Sequence, residues 1–345
     1  MVSQLQRHLP EQSSTAPEEH VSSPPPPFDI ECAAALEVVQ SPHLFAEPLT
    51  LDKIAHVRQH DADSHPSNTV LECQGRYRIH EQLAPGVSSD PDVPMLVCER
   101  TSSPVPTPVM YFIHGGGMIV GTRRSELDVM IALADQAGAA LVSVEYRLAP
   151  EHPDPAPIND CWAGLHWLVD NAHEFNIDPG RIVLYGASAG GGLAAGLALM
   201  CRDRQGPELI GQMLVCPMLD EGNDSTSAIQ FSGRGAWYRE TNEMAWSALL
   251  GDRRRTASVS HYASPAYAQD LADLPPAFID VGSAEVFRDE AVAYASRLWA
   301  SGGRAELHVW PGGFHGYDFV APSASISRAT VHARVDWLHR LLSQF

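Results

Sequence analysis

The sequence predicts an α/β fold with a central, mostly parallel twisted sheet flanked by helices. Three observations predict it. Short apolar runs with strand character alternate with helix-patterned segments, the alternation continues over most of the 345 residues, and glycine-rich turns follow several of the apolar runs. Strand–helix–strand repetition of this kind is typical of a parallel sheet with helices on both faces. The chain is long enough to bury a substantial core, as one large domain or as two.

The predicted strands are apolar or alternating runs bounded by turn residues. In order they are Thr69–His80, Met95–Glu99, Val109–Ile113, Ala140–Glu145, Ile182–Tyr185, Ile210–Cys216, Ala277–Val281 and Ala305–Trp310. The main helix-patterned segments between and after them are Ser125–Ala137, Asn159–Phe175, Asp289–Ala300 and Ser325–Leu342. No internal repeat is apparent.

Segments outside this alternation are predicted to form a tail and a helical cap. Residues 1–27 are polar and end in a run of prolines, as in a flexible or extended tail. Apolar residues recur with helical periodicity over 28–66, which predicts N-terminal cap helices. The core is then expected to cover 67–345, interrupted by a cap insertion at about 220–263. The aromatic residues of that insertion either dock it on the body, the commoner role, or line an apolar pocket.

Composition and charge exclude several classes of function. With 23 basic and 42 acidic side chains the net charge is −19, which argues against nucleic acid or an anionic membrane surface as a partner. The six cysteines show no metal-finger spacing, and Cys98 and Cys216 lie in apolar runs where buried free thiols are expected. Neither a signal segment nor a membrane-spanning apolar run is apparent. We therefore expect a reduced, cytoplasmic protein without stable membrane association.

The motif Gly186-Ala187-Ser188-Ala189-Gly190 lies between an apolar run and a stretch of small residues. This context predicts a strand, a sharp turn and a helix, with Ser188 at the apex of the turn. A helix N-terminus beneath that serine favours negative charge. The motif indicates either a nucleophilic serine or an ordinary glycine-rich turn, and the rest of the chain must decide between them.

A second glycine-rich segment, His114-Gly115-Gly116-Gly117, follows the strand predicted over Val109–Ile113. Successive glycines at the carboxyl end of a buried strand leave backbone N–H groups uncovered, so they can face an anion. The alternative is a flexible loop before the next helix. The position favours a binding role, because ligands bind at this edge of open α/β sheets.

Acyl transfer needs a base and an orienting acid in addition to a nucleophile. After a nucleophilic serine elbow, the chain supplies the acid and then the histidine, each from a loop that follows a strand. The loop after Val281 carries Glu285 and Asp289, and the loop after Trp310 carries His315 between glycines. The order and the positions therefore favour a serine hydrolase over a simple turn.

Four motifs together resemble the hormone-sensitive-lipase-like family of α/β-hydrolases, which includes bacterial and fungal carboxylesterases. They are His114–Gly117, Tyr146–Pro153, Gly186–Gly190, and Asp289-Glu290 followed by His315-Gly316. The resemblance implies an α/β-hydrolase fold with a helical cap. It also implies Ser188 as nucleophile, His315 as general base and acid, and an oxyanion hole formed by the N–H groups of Gly116, Gly117 and Ala189. By the same resemblance His114 holds its loop, and Arg147, Glu151 and Asp160 are buried ion-pair residues that brace the site.

The orienting acid departs from the family pattern. Glu285 stands where the family has an aspartate, and a glutamate can also accept the imidazole N–H and stabilise imidazolium. The rivals are Asp280, within a predicted strand, and Asp289, which is expected to begin a helix and cap it. Loop position favours Glu285.

The predicted function is a serine carboxylesterase that hydrolyses short- to medium-chain esters through an acyl-enzyme on Ser188, without metal or cofactor. Amidase, lactonase or deacetylase activity on a secondary metabolite is the alternative. A non-catalytic small-molecule receptor is a third hypothesis, which the presence of His315 disfavours. Met118, Trp237 and Tyr238 are the predicted pocket residues. The expected partner is a small-molecule ester, not nucleic acid, and relatives suggest a homodimer through the edge strand Ala305–Trp310.

Overall fold

The fold is built on eight β-strands, in a computed structural model that describes residues 23–40 and 49–345. The strands are β1 (Tyr77–Ala84), β2 (Val93–Arg100), β3 (Thr107–Ile113), β4 (Ala140–Val144), β5 (Ile177–Ala187), β6 (Gly211–Val215), β7 (Ala277–Gly282) and β8 (Ala305–Trp310). They form one sheet in the order β1-β2-β4-β3-β5-β6-β7-β8. Pairing is antiparallel for β1–β2 and β2–β4 and parallel from β4 to β8. The predicted mostly parallel α/β-hydrolase sheet is confirmed.

Eleven α-helices occur in the described residues. They are α1 (Ile30–Gln40), α2 (Ile54–Asp63), α3 (Asn68–Leu71), α4 (Leu127–Ala137), α5 (Ala156–Asn171), α6 (Ala189–Asp203), α7 (Thr226–Gln230), α8 (Arg239–Leu250), α9 (Arg288–Ala300), α10 (Tyr317–Val320) and α11 (Ser325–Leu342). Short 3-10 helices occupy Leu51–Lys53, Ala172–Phe175, Gly251–Arg253 and Pro265–Tyr267. Helices α4 and α11 contact each other, α5 contacts α6, and α9 lies against β7 and β8. None of these helices is both long and apolar enough to cross a bilayer.

Strands β3, β4, β6 and β7 are buried along their whole length, because helices cover both faces of a parallel sheet. This explains why they read in the sequence as continuous apolar runs and not as alternating patterns. The loops that follow β3, β5, β7 and β8 lie at one edge of the sheet, since parallel strands all end on the same side. Those are the loops that carry the four motifs.

The sequence prediction for the first strand is wrong at its start. Residues 69–71 belong to helix α3, and the strand begins only at Tyr77. Between them Cys73, Gln74 and Gly75 have φ of 48°, 60° and 83°, so a left-handed turn ends the helix and reverses the chain. The apolar residues Leu71 and Tyr77 are both buried, on either side of the turn. The alternation of apolar and polar residues in the sequence therefore continued through the turn and concealed it.

The two segments predicted as cap differ in how they meet the body. In the first, Arg58 of α2 donates to the carbonyl oxygens of Ile119 and Ala149. In the second, Trp246 of α8 is fully buried in the main core, as a docking residue would be. Residues 1–22 of the predicted tail lie outside the described residues, and its last residues include Pro24, which accepts a hydrogen bond from Gln230.

A buried arginine links the last helix to two acidic residues near the sheet edge. Arg334 of α11 donates from Nε to Asp280 of β7 at 2.7 Å and from Nη1 to Asp318 of α10 at 2.6 Å. All three side chains are almost inaccessible to solvent. Removing one partner of such a set leaves an uncompensated buried charge.

We therefore expect Arg334→Met to lower the free energy of unfolding by about 3–5 kcal/mol, because Asp280 and Asp318 lose their cation. Arg340→Met, on the same helix, is the matched control: Arg340 pairs with Glu306 at the surface, and such pairs contribute less than about 1 kcal/mol. Urea titration of both variants measures the difference. Equal small losses would contradict a structural role for the buried set.

Candidate active site

Ser188 stands at the junction of β5 and α6, with φ 56° and ψ −118°. Residues other than glycine seldom adopt a positive φ. Such backbone strain is concentrated at functional sites. The flanking glycines make the turn sterically feasible. A Cβ on Gly190 would lie deep inside contact distance of the Ile113 carbonyl oxygen, and one on Gly186 would meet the Gly190 carbonyl.

His315 follows β8 in a loop with left-handed glycines, since Gly312 and Gly316 have φ of 74° and 73°. Its Nε2 lies 3.0 Å from Ser188 Oγ, although 127 residues separate the two. The imidazole packs edge-on against Phe287, with 5.1 Å between ring centroids. The structure thus brings these two predicted site residues together.

Glu285 completes a hydrogen-bonded chain. Its Oε2 lies 2.6 Å from His315 Nδ1, and its Oε1 accepts a hydrogen bond from Gly282 N at 2.9 Å. The carboxyl is buried, with 2% of the residue exposed. Since a carboxylate accepts, the proton of the neutral imidazole lies on Nδ1, which leaves Nε2 free to accept from the serine hydroxyl.

The two rival acids are engaged elsewhere. Asp280 is bound to Arg334, as described above. Asp289 accepts from Ser227 N at 2.7 Å and from Arg288 Nε at 2.7 Å. Both of its oxygens are therefore occupied by groups other than His315.

The glycine segment after β3 lies against the serine turn. A Cβ on Gly115 would stand 3.5 Å from Ser188 Cβ, which measures how closely the two backbones approach. Gly116 and Gly117 have φ of 100° and 63°. Within the described residues, no backbone hydrogen bond occupies the N–H groups of Gly116, Gly117 or Ala189. These donors are free to bind an anion that forms on a substrate.

His114 and Tyr146 hold that glycine segment in position. Tyr146 Oη donates to the His114 carbonyl at 2.9 Å, and the His114 ring stacks on the Tyr146 ring at 4.1 Å between centroids. Burial lowers the pKa of His114, so its imidazole is neutral, and Nδ1 donates to the Gly115 carbonyl. Its position fits the structural role expected from the sequence.

A cavity of about 430 Å³ opens beside Ser188 and His315. Trp237 and Tyr238, two of the three predicted pocket residues, line it. Trp237 also packs against Gly117, because a Cβ there would lie 2.5 Å from its ring. Met118 does not line the cavity: it has φ 60° and is buried in the main core, and the prediction for it is corrected.

The bracing residues implied by the resemblance do not form one cluster. Asp160 is buried and bonds the side chain and backbone N–H of Arg147. Glu151 is instead exposed and pairs with Arg58 of α2, so the expectation of a buried Glu151 is wrong. It contacts Arg58 because the loop after β4 runs beneath α2, a contact between distant segments that no local pattern reveals.

Several cavity residues were not anticipated as site residues, and three of them carry a carboxyl group or a thiol. Asp61 comes from α2, Glu126 precedes α4, and Cys216 follows β6 with φ 36°. No local motif marks them, because only the packing of separate segments brings them to the cavity wall. The buried thiol of Cys216 has a pKa well above its usual value.

Metal binding would have to use Cys216, Glu285 and His315, the one group of potential ligands found within the described residues. Their ligand atoms lie within 4.8 Å of one another. However, Glu285 and His315 are bonded to each other, and burial keeps the Cys216 thiol protonated. Because metal ligands must be deprotonated and free, this set fits a metal ion poorly.

Comparison with known proteins gives consistent results. A family model described as alpha/beta hydrolase fold matches residues 110–319. Carboxylesterase NlhH of Mycobacterium tuberculosis is 38% identical over 223 residues, which are 63% of this chain and 70% of that protein. An arylesterase of Saccharolobus solfataricus is 31% identical over 245 residues, 66% of this chain and 78% of its own.

Solved structures agree over a longer part of the chain. A bacterial heroin esterase superposes with a TM-score of 0.82 at 34% identity, covering 91% of this chain and 98% of that one. A hyperthermophilic esterase from Pyrobaculum calidifontis superposes with a TM-score of 0.80 at 27% identity, covering 92% and 99%. The likeness therefore includes segments outside the matched family region.

Proposed function

Because the chain belongs to the α/β-hydrolase family, in its hormone-sensitive-lipase-like branch, and is a carboxylesterase, we propose that Ser188 is the nucleophile that forms the acyl-enzyme. One observation carries this proposal: the hydrogen-bonded chain from Ser188 through His315 to Glu285. Nucleophile, base and orienting acid stand in the order that acyl transfer requires.

In the proposed mechanism, Ser188 Oγ attacks the ester carbonyl carbon while His315 Nε2 takes its proton. Glu285 holds the imidazole in the required tautomer and stabilises the imidazolium that forms. The N–H groups of Gly116, Gly117 and Ala189 bind the oxyanion of the tetrahedral intermediate. The imidazolium returns its proton to the departing alkoxide, and a water activated by the same histidine then hydrolyses the acyl-enzyme. Each step uses groups of this chain, so no metal or cofactor is required.

The proposed substrates are small esters with short- to medium-chain acyl groups. Support comes from the size of the cavity, about 430 Å³, and from apolar lining residues such as Val57, Trp237 and Phe319. Cavities of this size hold small organic ligands. Residues 28–66 and about 220–263 are proposed as cap, since Val57 and Trp237 come from these two segments.

Two finer proposals concern the state of the protein in the cell. We propose a cytoplasmic location, supported by six cysteines that are all free thiols. Cell fractionation tests this location.

We also propose a homodimer that forms through β8. That strand is last in the sheet order. Val309 of β8 is 40% exposed, and Trp299 of the adjacent helix α9 is 47% exposed. An unpaired strand edge is a template for pairing with a second chain.

Sedimentation of the protein is expected to give twice the mass of one chain. Val309→Lys places a charge on the exposed edge strand and is expected to shift the equilibrium towards the monomer. Val105→Lys is the control: Val105 is 60% exposed in the loop before β3, and its substitution leaves the mass unchanged. A monomer for the unsubstituted chain would rule out the dimer.

Ser188→Ala is expected to abolish hydrolysis of p-nitrophenyl esters, a loss of at least about 10⁴-fold in kcat, because no other group can form the acyl-enzyme. An acyl series from acetyl to dodecanoyl, run beside amide and lactone analogues, identifies the preferred reaction. Equal hydrolysis by both proteins would exclude the mechanism. If the folded protein hydrolyses nothing and fluorophosphonate leaves Ser188 unlabelled, a receptor is the better explanation.

Glu285→Gln is expected to lower kcat about 10³-fold, because an amide favours the wrong imidazole tautomer. Asp289→Asn is the matched control and should leave kcat within about fivefold, since Asp289 bonds Ser227 and Arg288. Activity at saturating p-nitrophenyl ester is the measurement, with circular dichroism to verify folding. A mild effect at Glu285 with a severe one at Asp289 would overturn the assignment.

A further inference from the structure

The charged lining of the cavity beside Ser188 is acidic. Apart from histidines, the charged side chains that line it are Asp61 and Glu126, and within the described residues no lysine or arginine does so. The aromatic rings of Trp237, Tyr238 and Phe319 line the same cavity. The whole protein is also acidic, with a net charge of −19, which attracts cations towards its openings.

Glu126 occupies an unusual position in this wall. It immediately precedes helix α4 with φ 60° and ψ 11°, in the left-handed region that few residues other than glycine adopt. Its side chain makes no capping hydrogen bond. Its Oε2 is buried and has no hydrogen-bond partner within the described residues. An unpaired buried carboxyl oxygen is costly, so its retention points to a ligand that supplies the missing donor.

Most of the charges that act on Glu126 are negative. Asp61 of α2, Asp318 of α10 and Asp128 of its own helix act on it with negative charge, and Arg334 of α11 with positive charge. Arg334 is already bound to Asp318 and Asp280. Burial, with Asp318 and Asp61 as further causes, raises the pKa of Glu126 to about 7.

Asp61 is the less available of the two acids. Its Oδ2 accepts from Ser125 Oγ at 2.7 Å and lies 3.3 Å from His65 Nε2. Its negative charge reaches the cavity, but that oxygen is engaged. Of the two acids, Glu126 is the one with a buried carboxyl oxygen that has no hydrogen-bond donor within the described residues.

We propose that Glu126 binds the protonated amine of the substrate, so that the enzyme prefers esters that carry an ammonium group near the scissile bond. This inference rests on the proposed function of Ser188. An ammonium group supplies the N–H donor that Oε2 lacks and the positive charge that the acidic wall favours. The aromatic rings that line the cavity suit the same cation.

The proposal predicts the direction in which the preference for a cationic ester changes with pH. Below its pKa of about 7 Glu126 is neutral and attracts a cation weakly; above it the carboxylate is ionised and binds the ammonium. Preference for a cationic ester over a neutral one therefore rises as pH increases through about 7. The ratio of kcat/KM for the two substrates isolates this effect, because any pH dependence of the acyl-transfer steps common to both esters cancels in the ratio.

The test compares 2-(dimethylamino)ethyl acetate with 3-methylbutyl acetate, which replaces the ammonium N–H by C–H in the same shape. Acetate release is measured by NMR, with non-enzymatic hydrolysis subtracted. We expect kcat/KM at about pH 8 to favour the amine ester by about tenfold or more, mainly through KM. The preference should fall towards unity at about pH 6, where Glu126 is protonated.

Glu126→Gln keeps the shape and removes the charge, so it should lower kcat/KM far more for the amine ester than for 3-methylbutyl acetate, and thereby abolish the preference and its pH dependence. Asp128→Asn is the matched control: it removes the same charge from an exposed position two residues away and should retain the preference.

The outcomes are separable. No preference in the unsubstituted enzyme, or an equal loss for both esters in Glu126→Gln, would overturn the proposal and leave the esterase mechanism intact. If neither ester nor any p-nitrophenyl ester is hydrolysed, the proposed function itself fails.

Discussion

Close contact between backbones at Gly190 and Gly282 is the constraint on which the site depends. Gly190 lets the turn of Ser188 lie against the carbonyl at the end of β3, which brings the glycine segment beside the serine. Gly282 lets the end of β7 lie against Gly313, so the loops of Glu285 and His315 share one backbone contact. A methyl group at Gly190 or Gly282 would force strand ends apart that must meet within hydrogen-bond distance. The geometry between Ser188, His315 and Glu285 is therefore set by the main chain before any of their side chains is considered.

The loop of His315 is held from both sides by distant parts of the chain. From the C-terminal side, Arg334 fixes Asp318, three residues beyond the histidine. From the N-terminal side, Asp29 N donates to the Gly312 carbonyl and Phe28 packs edge-on against Phe314, at 5.8 Å between centroids. A general base must keep its position within a few tenths of an ångström to transfer protons efficiently. Segments that look peripheral in the sequence thus support the most demanding position in the site.

The fold was largely predictable because its signals are local. Buried parallel strands appear as apolar runs, and the turns of Ser188 and His315 carry glycines at the positions that the backbone requires. The turn at Cys73 and Gln74 was not predictable, because left-handed φ at residues other than glycine leaves no compositional mark. The placements of Met118, Glu151 and Glu126 depend on contacts between segments far apart in the sequence. Local pattern thus gave the sheet and the order of the motifs, but not the wall of the cavity.

The position of Glu126 in the cavity wall lowers the stability of the fold. Its pKa is raised from an ordinary 4.5 to about 7, so the folded protein holds the proton more tightly than the unfolded chain does. Ionising Glu126 consequently destabilises the fold as pH rises from about 4.5 through 7. The left-handed backbone adds a further strain of roughly 1–3 kcal/mol at the same residue. Both costs fall on the unliganded enzyme, and a cation in the cavity offsets the first of them, so ligand binding and ionisation of Glu126 favour each other.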